Sequence, residues 1–473
     1  MRALPLLALL ALAGCGGSAP AAAPPATSTL QATLVDRDRD GFLERGGAAE
    51  PLRDRGTPTR TGRTLATFGQ LTDTHVRDEE SPARAPFLDR LGAPPNSTFR
   101  PHEAFSAQVL DGAVRALGRE RPQAVVVTGD IVDSAQANEL ETAIAVLEGG
   151  RVRPDSGARG YDGVQAASNP DPFYFRPDND APRHPGALAA AQREFRAGGL
   201  GVPWYPALGN HDVLVQGEVP ATEAIEELAT GSRLVTGLDS DAIPYLDEDD
   251  AAGLVADLLT YGEAYGRSEA VPADSARRHL APEEVVERLA GAAGIRPAAP
   301  ERLDYTFDLG PEVRAIVLDT VNRTGGSRGT VSADQVGWLR DQLAGAGQRW
   351  VVVFAHNPLE SADGGEAALA ALDEAERVVA VVAGNRHRNT IESREGYWLV
   401  GSSSLADFPQ QARMFRLRET ADGVALETWM VDHDGRGLAG TARELAHLDA
   451  QGGRPQSFAG RPEDRNARLS VQP

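Results

Sequence analysis

The sequence predicts an α/β domain, on three observations. Short apolar runs rich in Val and Ile alternate with longer stretches of helical periodicity, the order expected of strands and helices stacked in layers. Five of those runs end abruptly in polar, ligand-type residues. At 473 residues the chain exceeds what one minimal core organises, so one large domain with insertions, or two domains, is expected.

Taken in order, the first strand covers 65–71 and runs into Thr72-Asp73-Thr74-His75. The next covers 124–128 and ends in Gly129-Asp130, and the third covers 204–208 and ends in Gly209-Asn210-His211-Asp212. Strands over 350–355 and 378–383 lead into His356-Asn357-Pro358 and Gly384-Asn385-Arg386-His387. Open α/β sheets build their sites where loops converge at the carboxyl ends of strands, so five such loops read as one site. Helical patterns over 103–119, 139–147, 187–195, 282–290 and 333–344 supply the packing between them. Two stretches exceed a minimal core: 149–202, rich in Pro, Asp and aromatics, and 213–302, which carries an acidic run over 239–250. Both read as insertions or a partial cap near the site. From Tyr397 three further strand patterns, ending Trp429-Met430-Val431, are expected to complete a second sheet. The domain is thus expected over 32–452, with 453–473 a disordered tail.

The amino terminus bears on compartment. Arg2 precedes an apolar run from Ala3 to Ala13 that ends in Leu12-Ala13-Gly14-Cys15, the pattern of a bacterial lipoprotein signal over 1–14 and too short to span a bilayer. Cys15 is the only cysteine, so an internal disulfide and a Cys-rich zinc site are excluded. An extracytoplasmic protein held to the membrane by lipid on Cys15 is expected. Residues 15–31, rich in Ala, Pro, Ser and Thr, form the tether. The net charge of −21 opposes binding to nucleic-acid polymers. All 47 basic residues are Arg, which removes a phosphate-loop lysine and Schiff-base chemistry.

The strand ends carry chemistry. Asp73-x-His75 offers a hard carboxylate and a borderline imidazole, a pair suited to zinc, manganese or iron more than to calcium or magnesium. Asp130, presented by a glycine turn, can bridge two ions, and Asn210, His356 and His387 add neutral donors. The blocks Asp73-Thr74-His75, Gly129-Asp130, Gly209-Asn210-His211-Asp212, Ala355-His356 and Gly384-Asn385-Arg386-His387 stand in the order found in calcineurin-like metallophosphoesterases. From about Leu65 to Val431 the chain resembles that superfamily. The resemblance implies a sandwich of two mixed β-sheets flanked by helices. It also implies two transition metals (Mn, Fe or Zn) and hydrolysis of a small phosphomonoester or phosphodiester by an activated water. Carried over by position, Asp73, His75 and His387 hold the first metal, Asp130 bridges, and Asn210, His356 and the residue at Asn385 hold the second. His211 stabilises charge or protonates the leaving oxygen.

One position departs: the family's last block is usually Gly-His-x-His, and Asn385 stands where its first histidine would be, a weaker donor for transition ions. Asp133 stands where purple acid phosphatases carry a tyrosine, so no tyrosine-to-iron colour is expected, and the chain looks closer to the cyclic-nucleotide phosphodiesterase-like branch. Asp133 itself reads either as a loop cap or as a group orienting a ligand.

Outside these blocks, Asp36, Asp38 and Asp40 followed by Gly41 begin like a calcium loop, but Gly47 stands at position twelve, where a bidentate Glu is needed; a calcium site and a solvated turn both fit. Asp432-His433-Asp434 reads as a turn, and His102, His184, His279 and His447 as structural or surface histidines. The competing functional readings are a noncatalytic metal-binding surface lipoprotein that engages a partner through its insertions, and a calcium-dependent surface module.

Overall fold

The computed structural model describes residues 27–57, 59–91, 97–238, 251–454 and 457–472. Two mixed sheets carry the fold. In chain order their strands are β1 (Arg53–Arg55), β2 (Thr64–Leu71), β3 (Ala124–Thr128), β4 (Trp204–Ala207), β5 (Tyr305–Asp308), β6 (Val313–Leu318), β7 (Trp350–Ala355), β8 (Val378–Ala383), β9 (Thr390–Arg394), β10 (Tyr397–Gly401), β11 (Gln411–Glu419), β12 (Val424–Asp432) and β13 (Ala467–Val471). The seven-stranded sheet runs β1-β13-β12-β11-β2-β3-β4 and the six-stranded sheet β5-β6-β7-β8-β10-β9. Strands β2, β3 and β4 are parallel to one another, as are β6, β7, β8 and β10. These central strands are covered on both faces, which is why they read as unbroken runs such as Ala124-Val125-Val126-Val127-Thr128, buried at every position.

The sheets face each other across one core. Phe68 of β2 meets Phe354 of β7 edge-on at 5.7 Å and stacks on Phe415 of β11 at 4.9 Å. The next residue, Gly69, points the other way, toward Leu117 of the helix Ser106–Glu120. A second apolar layer lies between the six-stranded sheet and the helices Ala333–Ala346 and Gly365–Asp373. The first of these starts in a capping box, Ser332 and Gln335 exchanging side-chain and backbone bonds. The expected two-sheet sandwich flanked by helices is therefore present. Among the described residues no helix is long and apolar enough to cross a membrane.

Several expectations change. The three strand patterns after Tyr397 do not share a sheet: β10 joins β8, whereas β11 and β12 pair antiparallel beside β2. The tail is not disordered throughout. Ala467–Val471 alternates inward and outward side chains and pairs with β12 and β1, so its apolar face is buried by the sheet. The tether also ends earlier than expected, because Thr27, Ser28 and Thr29 are buried and Ser28 bridges to Val431. The helix read over 187–195 stops at Ala191, and Phe195–Ala197 turns back to pair with Gly150–Val152. The signal segment, Cys15 and the acidic run over 239–250 lie outside the described residues.

Residues 78–80 bind both long insertions. Asp78 accepts from Ser156 Oγ (2.8 Å) and Arg277 Nε (3.1 Å), Glu79 from Gln192 (2.9 Å), and Glu80 from the Asp162 amide. Burial and crowding among acids push the carboxyls of Glu79 and Glu139 up to about 8 and that of Glu80 up to about 9. A carboxyl raised in the folded chain binds more protons there than when unfolded, so its contribution is whole below about pH 4.5 and fades as pH climbs through 8–9. Glu80→Gln is accordingly expected to raise Tm relative to wild type more at pH 9 than at pH 6, read by scanning calorimetry. An equal offset at both pH values would show that Glu80 is ionised throughout.

Candidate metal centre

The five strand ends converge on one point, and the backbone bends to do it. Asp73 (φ 51°), His75 (φ 41°), Asp130 (φ 49°), Asn385 (φ 64°) and His387 (φ 53°) all occupy the left-handed region, at about 1 kcal/mol or more each. Strain gathered on the ligand-type residues is the usual mark of a working site. Two glycines make the approach possible: a Cβ on Gly129 would sit 2.7 Å from His356 Nδ1, and one on Gly384 would sit 2.6 Å from Asp73 Oδ2.

Each imidazole is fixed from behind, so that Nε2 points inward. His75 Nδ1 bonds Asp133 Oδ1 (3.0 Å), His387 Nδ1 bonds Asp407 Oδ2 (2.5 Å), and His356 Nδ1 donates to the Thr128 carbonyl (2.8 Å). Asn210 Nδ2 donates to the Gly217 carbonyl (3.0 Å), which turns its Oδ1 inward, 3.2 Å from His356 Nε2. Asp73 takes Thr72 Oγ1 on one oxygen (2.6 Å) and the Asn385 amide on the other (3.0 Å). Asp130 Oδ1 accepts the His211 amide (2.9 Å), while Oδ2 stands 3.2 Å from His356 Nε2 and 3.7 Å from His75 Nε2. One carboxylate oxygen, rather than both, thus faces the two halves of the site. Asp212 ties the β3 and β4 loops together by accepting three amides, from Ile131, Val132 and Gly209.

The donor set fits cations. His75 Nε2 and His387 Nε2 approach to 3.3 Å with both Nδ1 atoms already committed, so two ring lone pairs converge where only a proton or a cation can sit. Asp73, His75 and His387 form one group whose ligand atoms lie within 4.8 Å of each other, and Asp73, Asp130 and His356 form a second. Imidazole with carboxylate suits transition ions. Burial works against a charged His356, yet Asp130 beside it raises that ring to about 10; in the same way Asp73 and Asp407 raise His387 to about 9. His75, which burial and the neighbouring His211 depress to about 4, stays neutral. Cation binding must therefore displace protons from His356 and His387.

The family model of the calcineurin-like phosphoesterases matches residues 66–389, more than half of the chain. The chain belongs to the calcineurin-like phosphoesterase family. Among solved structures, this phosphoesterase chain is similar to a dimetal phosphatase from Danio rerio, with 15% identity and a TM-score of 0.38, over 78% of this chain and 97% of that one. It is also similar to a purple acid phosphatase from yellow lupin (Lupinus luteus) seeds, with 12% identity and a TM-score of 0.31, over 84% of this chain and 54% of that one. A third is GAP50, the anchor in the inner membrane complex of Plasmodium, with 11% identity and a TM-score of 0.30, over 84% of this chain and 97% of that one. Comparison with curated proteins yields no match.

All the residues singled out in the phosphoesterase blocks meet here, Asn385 through its backbone amide on Asp73. His211, at 22% exposure, His387, at 13%, and the half-buried Asn385 are the open side of an otherwise buried cluster. The Asp432-His433-Asp434 segment stays apart from it: Asp432 pairs with Arg45 (2.6 Å) and Asp434 with Arg115 (2.6 Å). Sequence reading missed three residues. Asp407, held bidentate by Arg100 (2.7 and 3.0 Å), supports His387 from the loop after β10; Phe458 packs against the His387 ring at 5.9 Å; Glu218, half-buried, lies within reach of the His211 and Asp130 charges. The signal for Asp407 was its place in a sixth strand-end loop. Asp407→Asn is expected to weaken metal binding about 10–100-fold, the usual effect of losing such a support, as measured by competition with a chelating dye. Unchanged affinity would mean that Arg100, and not His387, is the partner that matters to Asp407.

Proposed function

We propose that this phosphoesterase hydrolyses small phosphomonoesters or phosphodiesters outside the cytoplasm, anchored by lipid on Cys15. The observation that carries the catalytic part is Asp130 Oδ2, set between His75 on one side and His356 on the other. Asp73, His75, His387 and Asp130 would hold one ion, and Asp130, Asn210, His356 and Asn385 the other. When bound, two such ions supply Lewis acidity toward a phosphoryl oxygen and an acidified water.

The protein's own part is orientation and a proton. His211 Nδ1 donates to the Asp133 carbonyl (2.7 Å), which leaves Nε2 for substrate, and when the ring is doubly protonated Nε2 can give its proton to a departing alkoxide. Asp133 therefore serves two rings, bonding His75 with its carboxylate and His211 with its carbonyl. The charge of −21 favours a small, metal-bound substrate over a polyanion. The apolar run before Cys15 supports the lipid anchor.

Elemental analysis, paired with hydrolysis of bis-p-nitrophenyl phosphate and p-nitrophenyl phosphate under manganese, zinc or iron, tests this reading. Metal-dependent turnover is expected, and the preferred compound separates diester from monoester activity. The weaker donor at Asn385 favours a second reading, a noncatalytic metal-binding lipoprotein. A protein that holds one ion or none and stays inactive with every metal, even as Asn385→His, would establish that second reading.

A further inference from the structure

We propose that Glu103 is a positioning residue for the ion held by His75 and His387, a role that rests on the two-ion reading above: one buried carboxylate sets, through three arginines, the carboxylates behind both rings. Glu103 opens the turn Glu103–Phe105 ahead of the helix Ser106–Glu120, and its side chain is fully buried. Its Oε2 accepts from Arg77 Nη1 (2.6 Å), Arg84 Nη2 (3.1 Å) and the Arg100 amide (3.1 Å), and its Oε1 from Arg84 Nη1 (2.9 Å). Burial works to raise this carboxyl, but Arg84 and Arg77 hold it below the usual glutamate range, so it carries its charge.

The arginines lead on to the two histidines. Arg77 Nη2 donates to Asp133 Oδ1 (2.6 Å), the same oxygen that meets His75 Nδ1 (3.0 Å), and Arg84 Nε stands 3.7 Å from the other Asp133 oxygen. Arg100 Nη2 donates to Asp407 Oδ2 (3.0 Å), the oxygen that meets His387 Nδ1 (2.5 Å). Arg77, Arg84 and Arg100 thus balance Glu103, Asp133 and Asp407, and none of the six side chains is more than 5% exposed. A carboxylate behind an imidazole strengthens the far nitrogen as a donor. An oxygen shared with an arginine does this less well, and Glu103 offsets the loss by drawing Arg77 and Arg84 away from Asp133; Arg100 it fixes at the backbone. The other half of the centre has no such backing, since His356 Nδ1 and Asn210 Nδ2 donate to the neutral carbonyls of Thr128 and Gly217. Without the Glu103 charge, three arginines would face two carboxylates on the His75 and His387 side alone.

The test titrates the full chain with cobalt(II), following the visible absorption of the first equivalent and the affinity of each ion by competition with a chelating dye. Glu103→Gln, of equal size, should weaken the first ion at least about tenfold and shift its cobalt spectrum, while the second ion, measured with the first in place, stays within about twofold of wild type. The double variant Glu103→Gln with Arg84→Gln makes the network neutral again, so it should fold even where the single change does not. Its Arg77 has no other anion and still competes with His75 for Asp133, so its first ion should remain at least about threefold weaker than in wild type. Wild-type affinity for the first ion in either folded variant, or equal weakening of both ions, overturns the role of Glu103. Failure of the wild-type chain itself to bind cobalt would instead overturn the metal centre, and neither readout depends on hydrolysis.

Discussion

Asp130→Ala is expected to lower metal-dependent hydrolysis of bis-p-nitrophenyl phosphate by at least about 10³-fold and to reduce bound metal below two ions per chain. The size of the effect follows from what Asp130 touches. Its Oδ2 stands between His75 and His356, so its loss removes a negative charge from both halves of the site at once. Its Oδ1 also holds the His211 amide at 2.9 Å, so the β4 loop would lose a tether as well. In the folded chain His356 and His387 are held protonated by Asp130 and Asp73, to about 10 and about 9. Without Asp130, His356 loses the charge that raises it and titrates nearer neutrality. Proton release on zinc binding, followed by calorimetry in buffers of different ionisation enthalpy, should therefore fall in the variant at pH 7.5. Asp130→Asn separates charge from shape: it keeps an oxygen for His211, and loss of metal in both variants would locate the effect in the charge. Full metal content with full activity in Asp130→Ala would remove the bridging role.

His211→Ala is expected to cut kcat about 10²–10³-fold while metal content stays at the wild-type level. His211 lies close enough to His75 and Asp130 to share a cation with them, but it is the most exposed ring of the cluster, and its Nδ1 is already committed to a backbone carbonyl. A proton from Nε2 matters most when the departing alkoxide is a strong base. The loss should therefore be larger for an alkyl phosphoester than for the p-nitrophenyl compounds, with KM moving less than kcat. Equal losses on both substrates would assign His211 to binding the phosphoryl group instead of protonating the leaving oxygen.

The site was legible in sequence to the extent that it is local. Asp73-x-His75, Gly129-Asp130, Asn210-His211 and Asn385-x-His387 each lie within four residues of a strand end, where periodicity stops and ligands begin. Asp407 was not legible, because it reaches His387 from the far end of another strand, twenty residues on. Of the five strands that carry the site, β3, β7 and β8 were plain from their apolar runs, buried throughout. Strand β5 was not, since Tyr305–Asp308 is short and only half buried at an edge. The tail misled by composition: its Gly, Pro and Arg suggested disorder, yet Ala467-Arg468-Leu469-Ser470-Val471 alternates apolar and polar with a period of two. The helix Leu438–Gly452 was hidden by its modest apolar stripe, although it buries Leu445 and the charged pair Arg443 and Glu444.

The place of β13 also orders events during synthesis. The strand of the seven-stranded sheet that precedes Asp73 pairs with residues more than 340 positions later, and β1 waits for β13, 414 positions later. Contacts so distant in sequence form slowly, after the segments between them have been made. Until then β12 has a bare edge, and Phe458 is not yet beside His387. A chain that lacks β13 therefore keeps its whole set of metal ligands and yet exposes a sheet edge prone to aggregation.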